Sequence, residues 1–227
     1  MVELPDRATP IRKHTVYGWG WSSPGVGIYD RYLEARIRTS DADRPDHVAL
    51  VITERDLLEP GAYETLADFF GWAFDLGAER VTVYVSVIDE DAVPTLRRAF
   101  DEVEAPREVA VRGPGDEERA DTPIRVSMGL GGRDEFAAAV RGVAEEVQAG
   151  DLDPEDITES DIEDRLVFPE PPDIVLKTGA ERLSDFMIWQ SVYSELYFTD
   201  VNWRDFRYRD YLRAVRDFQE RQRRFGR

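Results

Sequence analysis

The chain has 227 residues, no cysteine, 29 basic and 47 acidic side chains. That length allows a core burying roughly 70% of the unfolded surface, and the lack of cysteine excludes disulfides, thiolate zinc sites and cysteine nucleophiles. The net charge of −18 is spread along the sequence and argues against nucleic acid as a partner, because phosphate binding needs a basic face.

Only Lys13 and Lys177 are lysines, while arginine is abundant. A surface of hydrated carboxylates tolerates high salt, which screens its self-repulsion, so a salt-adapted source is expected. The longest apolar runs, VALVI and VTVYVSVI, fall far short of the ~20 residues of a membrane span. The N-terminus, MVELPDRATPIRKH, lacks the apolar core of a signal peptide. The expectation is a cytoplasmic protein with at most peripheral membrane contact.

Residues 1–27 read as an N-terminal extension and 28–227 as one domain. IYDRYLEARIR (28–38) has apolar positions at helical spacing. HVALVIT (47–53) is the uninterrupted apolar run of a buried parallel strand. GAYETLADFFGWAFDLG (61–77) follows as a helix with Leu66, Phe69, Phe70, Ala73 and Phe74 on one face, and VTVYVSVI (81–88) as a second strand. A helix is expected over 91–103, with strands over 108–112 and 123–128 around a polar loop. Residues 134–149 carry a helical stripe of Phe136, Val140, Val143 and Val147, with Asp134 as its cap. The acidic stretch 151–166 is expected to be ordered by Ile157, Ile162 and Leu166. DIVLK (173–177) reads as a buried strand, followed by helices over 184–197 and 205–224. This alternation predicts an α/β single domain, a mostly parallel β-sheet flanked by helices.

Ligands of open α/β sheets gather outside the carboxyl ends of the strands. Lys177 stands at such an end, Gly179 permits close backbone approach, and Arg182 and Ser184 lie where the next helix would expose its amides. These donors suit a phosphate or diphosphate. From spacing alone the commoner reading is structural: Lys177 and Arg182 pair with Glu181 and Asp185, and Ser184 is an N-cap. Glu195, in an apolar and aromatic stretch, is either solvated or a magnesium ligand.

The stretch PDIVLKTGAERLSDFMIWQSVYSELYFTDVNWRDF and the closing FQERQRRFG resemble the C-terminal signature of the cis-prenyltransferases, the undecaprenyl diphosphate synthase family. GGRDEFAAAVRGVAEEVQAGDLDPEDI (131–157) is similar to the family's central segment, and the likeness extends over 47–226. Family members elongate an allylic diphosphate with isopentenyl diphosphate, using magnesium, to make the polyprenyl diphosphates of glycan carrier lipids. The resemblance implies that Lys177, Arg182 and Ser184 hold isopentenyl diphosphate and that Glu195 helps hold magnesium. It further implies that Arg224 and Gly226 form the Arg-x-Gly motif that reaches a neighbouring subunit's diphosphate.

The family motif Met-Asp-Gly-Asn-x-Arg-Trp, expected where this chain reads ITERDLL (52–58), is missing. Thr53 stands at the position of the magnesium-organising Asp, and no glycine follows before Gly61, so no catalytic residue is assigned. Glu54 and Asp56 lie out of register with it. KTGAER is one residue shorter than the family's turn and opens with lysine, which lacks arginine's bidentate fork. Gly129 stands where asparagine is common. Partner subunits resembling the Nogo-B receptor likewise lack the Asp and donate a C-terminal motif. The expectation is therefore a non-catalytic subunit that completes a catalytic homologue's site, with magnesium weak or shared. The alternatives are a self-sufficient synthase with an altered magnesium site, as a homodimer, and a non-enzymatic prenyl diphosphate-binding protein.

Overall fold

The computed structural model describes residues 27–114, 116, 121–129, 131–179 and 187–225, the last four of these by backbone only. A helix, α1 (Ile28–Arg38), precedes the first strand, β1 (His47–Thr53). Two helices, α2 (Glu54–Leu58) and α3 (Ala62–Asp75), lead to β2 (Arg80–Ser86). Then come α4 (Val93–Asp101), β3 (Val109–Arg112), β4 (Ile124–Met128), α5 (Gly132–Ala149) and α6 (Glu159–Glu163). The chain closes with β5 (Ile174–Thr178), β6 (Glu195–Thr199) and α7 (Tyr208–Phe225).

The six strands form one sheet in the order β3-β4-β2-β1-β5-β6, and every neighbouring pair is parallel. The mostly parallel α/β architecture is as expected. β1 lies at the centre because a strand whose residues 48 to 52 are all apolar needs cover on both faces. Alternation sends Val48, Leu50 and Ile52 into the large core with α3 and α7, and Ala49 and Val51 into a smaller cluster with Tyr84, Phe168, Val175 and Met187. In the large core the Phe69 ring meets Trp203, Phe206 and Tyr211 edge-on at 5.8, 6.3 and 5.4 Å. Trp203 is buried without loss because its indole N–H donates to the Ala62 carbonyl at 3.0 Å. No helix among the described residues is long and apolar enough to cross a membrane.

Three local expectations are corrected. From Met187 onward there is no helix over 184–197: Gln190–Tyr193 make one 3-10 turn and Glu195–Thr199 is the edge strand β6. The apolar spacing there also fits alternation, and pairing of Leu196 with Val175 in β5 wins. Helix α5 starts at Gly132 with Gly131 as N-cap, so Asp134 is in its first turn and does not cap it. The final helix begins at Tyr208, after a 3-10 turn over Trp203–Asp205. The acidic stretch is ordered as expected, through a 3-10 turn at Pro154–Asp156 and α6.

At the amino ends of the strands, His47 is 7% exposed. Its Nδ1 faces the Pro171 carbonyl at 3.2 Å and its Nε2 the Thr82 hydroxyl at 2.8 Å. The carbonyl assigns the proton to Nδ1, so the ring is neutral and Nε2 accepts from Thr82. Burial, and then the nearby Arg80 charge, pull its pKa down to about 4. Above the ordinary value near 6.5 the ring is neutral whether folded or not, and below it the unfolded chain takes up the proton first. Stability is therefore expected to fall between pH 6.5 and pH 4 by roughly 3 kcal/mol from this group alone. Urea unfolding of wild type and His47→Gln across that window measures it: the variant's curve should be flatter, and parallel curves would refute the assignment.

A candidate diphosphate site at the carboxyl ends of β1 and β5

The chain leaves β1 toward β2, β4 and β3 on one side and returns to β5 and β6 on the other. Such a reversal opens a crevice between the two strand ends where ligands of open sheets bind. Lys177 pairs in register with Val51, two residues before Thr53, and shares its face of the sheet. It is 6% exposed, and its Nζ donates to the Thr178 carbonyl at 2.8 Å. Burial pulls the ammonium below the ordinary lysine pKa, and the Asp56 charge opposes this. Beside it the Thr178 hydroxyl is buried without a hydrogen-bond partner. Gly179 has φ +73°, the left-handed region that favours glycine, and among the described residues a Cβ there would meet nothing within 4 Å. A buried lysine ammonium beside an unpartnered hydroxyl is chemistry for holding an anion, weakened by the Asp56 carboxylate, while the Gly179 amide is already committed to the Val201 carbonyl at 3.3 Å.

The end of β1 is arranged differently. Thr53 is the N-cap of α2, and its amide and hydroxyl both donate to Asp56 Oδ2 at 2.8 Å. The Asp56 amide returns a bond to the Thr53 hydroxyl at 3.3 Å, closing a capping box. Glu54, nearly buried, accepts through Oε2 from the amides of Ile88 and Asp89 at 2.9 and 3.3 Å, tying this turn to the one after β2. The three polar side chains of Thr53, Glu54 and Asp56 thus serve the backbone.

Of the residues singled out in the sequence, the structure brings Thr53 and Lys177 to one crevice. Glu195 is elsewhere: it pairs with Ile174 at the opposite end of β5, about 10 Å back along the strand and on the other face. Its Oε2 accepts from Arg221 at 3.1 Å. Arg221 also lines an open groove of about 460 Å³ between α1, β6 and α7. Arg182, Ser184 and Gly226 lie outside the described residues, and Arg224 is placed in α7 by its backbone alone. Among the described residues no group of three acidic or histidine side chains is arranged to hold a metal ion. The hydroxyl at Thr53, the capped Asp56 and the distant Glu195 do not fit a magnesium site within one chain.

Two buried carboxylates escaped the sequence reading: Asp30, 4% exposed and accepting from Arg209 at 2.7 Å, and Glu135, 5% exposed. Glu135 left a signal, since it falls on the same helical stripe as the buried Ala139 and Val143, an acid on an apolar face. Burial raises its pKa, against hydrogen bonds from Gln190, Phe168 and Val167 that lower it.

The family model of the putative undecaprenyl diphosphate synthases matches residues 110–226, from β3 to the C-terminus. The tritrans,polycis-undecaprenyl-diphosphate synthase (geranylgeranyl-diphosphate specific) of Methanopyrus kandleri is 36% identical over 252 aligned positions, covering 90% of this chain and 92% of its own. The enzyme of the same description from Methanocaldococcus jannaschii is 36% identical, covering 88% of each. The 252 aligned positions exceed this chain's 227 residues, so the relative carries segments that this chain lacks. Lavandulyl diphosphate synthase from Lavandula x intermedia, solved with dimethylallyl diphosphate, shares the fold with a TM-score of 0.64 at 23% identity, over 78% of this chain and 95% of its own. The parallel sheet, the crevice at Lys177 and these matches agree: the chain belongs to the undecaprenyl diphosphate synthase family.

Proposed function

We propose that this chain is a subunit of a cis-prenyltransferase that makes long-chain polyprenyl diphosphate from isopentenyl diphosphate and an allylic diphosphate. In this reading it binds diphosphate but is not itself catalytic, like the Asp-lacking partners that resemble the Nogo-B receptor, and it completes the active site of a catalytic homologue. The observation that carries it is the end of β1. A hydroxyl stands at the family's acid position and is consumed by its own capping box, and Glu54 is spent on the amides of Ile88 and Asp89. A neutral cap replaces several kcal/mol of charge stabilisation, and about 4 kcal/mol is roughly a thousandfold in rate. Magnesium would be held mainly by the partner in this scheme.

Lys177 remains as the anchor for isopentenyl diphosphate, joined by Arg182 and Ser184 through the resemblance. Glu195, at the opposite end of β5 and held by Arg221, serves a neighbouring subunit if it serves any. The docking face is the segment around the 3-10 turn, where Ile188, Val192 and Tyr193 are 42, 66 and 93% exposed. Arg224 and Gly226 supply the motif that crosses to the partner. The relatives' names make geranylgeranyl diphosphate the allylic substrate to offer first.

A second reading, a self-sufficient synthase, draws support from the 36% identity with named synthases over most of the chain. Incorporation of labelled isopentenyl diphosphate into long products, with magnesium in concentrated salt, separates the two. The subunit reading expects silence from the chain alone and stimulation of a full-motif homologue, lost with Arg224→Ala. Product from the chain alone would overturn it, and Thr53→Asp should then raise the rate. The cap role of Thr53 has its own test. Thr53→Ala should cost about 1 kcal/mol in urea unfolding while leaving pyrophosphate affinity unchanged. Weaker binding at unchanged stability would make the hydroxyl a ligand instead.

A further inference from the structure

Glu135, Gln190 and Met187 are 5, 4 and 2% exposed, and the proposed chemistry uses none of them. Three contacts from the first turn of α5 converge on residues 187–190. A Cβ built on Gly132 would stand 3.0 Å from the backbone nitrogens of both Met187 and Ile188. Gly132 is the first residue of α5, and a side chain there would press on that backbone. Glu135 accepts from the amides of Val167 and Phe168 at 2.8 and 3.2 Å and from Gln190 Nε2 at 3.3 Å. Gln190 Nε2 also donates to the Phe168 carbonyl at 2.9 Å. Finally, the Phe136 and Trp189 rings stack at 5.6 Å.

What these contacts hold is strained. Met187 has φ +39°, a conformation that a non-glycine residue keeps only where its surroundings impose it. Its side chain lies in the smaller apolar cluster with Val51 and Val175. Val51 is the register partner of Lys177, and Val175 precedes Lys177 by two residues on the same face. The Met187 side chain therefore supports the strand ends that carry the candidate anion site, and the first turn of α5 sets where that support sits.

We infer that the first turn of α5, through Gly132, Glu135 and Phe136, is a positioning seat for the diphosphate site at Lys177, acting through Met187 and Gln190. This rests on the diphosphate reading above. The seat is built for rigidity: a backbone contact that leaves a side chain at Gly132 little room, a buried carboxylate shared by two segments, and a ring stack.

The test uses the full chain and inorganic pyrophosphate, with affinity from calorimetry, unfolding temperature, and the Trp189 signal in fluorotryptophan NMR. Gly132→Ala presses a methyl group onto the Met187–Ile188 backbone, which must give by a few tenths of an ångström. Its pyrophosphate affinity should fall at least tenfold, with the Trp189 signal shifted and the unfolding temperature nearly kept. Gln190→Leu keeps the volume, removes the bonds to Glu135 and Phe168, and should weaken binding several-fold. It decides alone if Gly132→Ala does not fold. Unchanged affinity in these variants overturns the seat, whatever their stability. If wild type ignores pyrophosphate and Lys177→Met behaves identically, the diphosphate reading fails and the seat falls with it.

Discussion

All six strands run the same way, and this collects the carboxyl ends of β1 and β5 along one rim, side by side at the point where chain direction reverses. A parallel sheet must also be covered on both faces. One face is filled by the aromatic core around Phe69, the other by short segments that end in Phe168 and Met187. The strand ends, with Lys177 and Gly179 at that of β5, are thus held from below by packing. Whatever binds there meets polar groups whose positions were decided by the packing beneath.

At that rim the two strand ends satisfy their polar groups in different ways. Thr53, Glu54 and Asp56 turn inward to backbone amides, so that end is occupied by the protein itself. Lys177 is left with a carbonyl for a partner and a carboxylate nearby, and the Thr178 hydroxyl has none. A buried ammonium with unspent donors gains from an incoming anion.

Much of this was legible in the residues. The apolar run of HVALVI marked the central strand. That Thr53 and Asp56 cap one another was also readable, since a Thr three residues before an Asp is the spacing of a capping box. The segment 187–199 was misread for a physical reason. Trp189, Tyr193 and Leu196 satisfy a helical period, but ELYFT also suits a half-buried strand, and only the neighbouring β5 edge decides between them. The same error put Glu195 near a helix end, when β6 pairs it with Ile174 at the opposite end of β5 from Lys177. Contacts of Glu54 and Glu135, 32 to 35 residues away in sequence, leave no local trace.

The capping box at Thr53 has a thermodynamic consequence. A ligand raises the stability of a fold in proportion to its preference for the folded state, and most of all where it orders a segment that is otherwise loose. Where a turn serves as a phosphate cradle, its order depends on substrate and its stability rises and falls with supply. Here the turn after β1 closes on its own side chains, so its order comes from within the chain. Under the proposed subunit role, such a corner would keep its shape for a partner whether or not substrate is present.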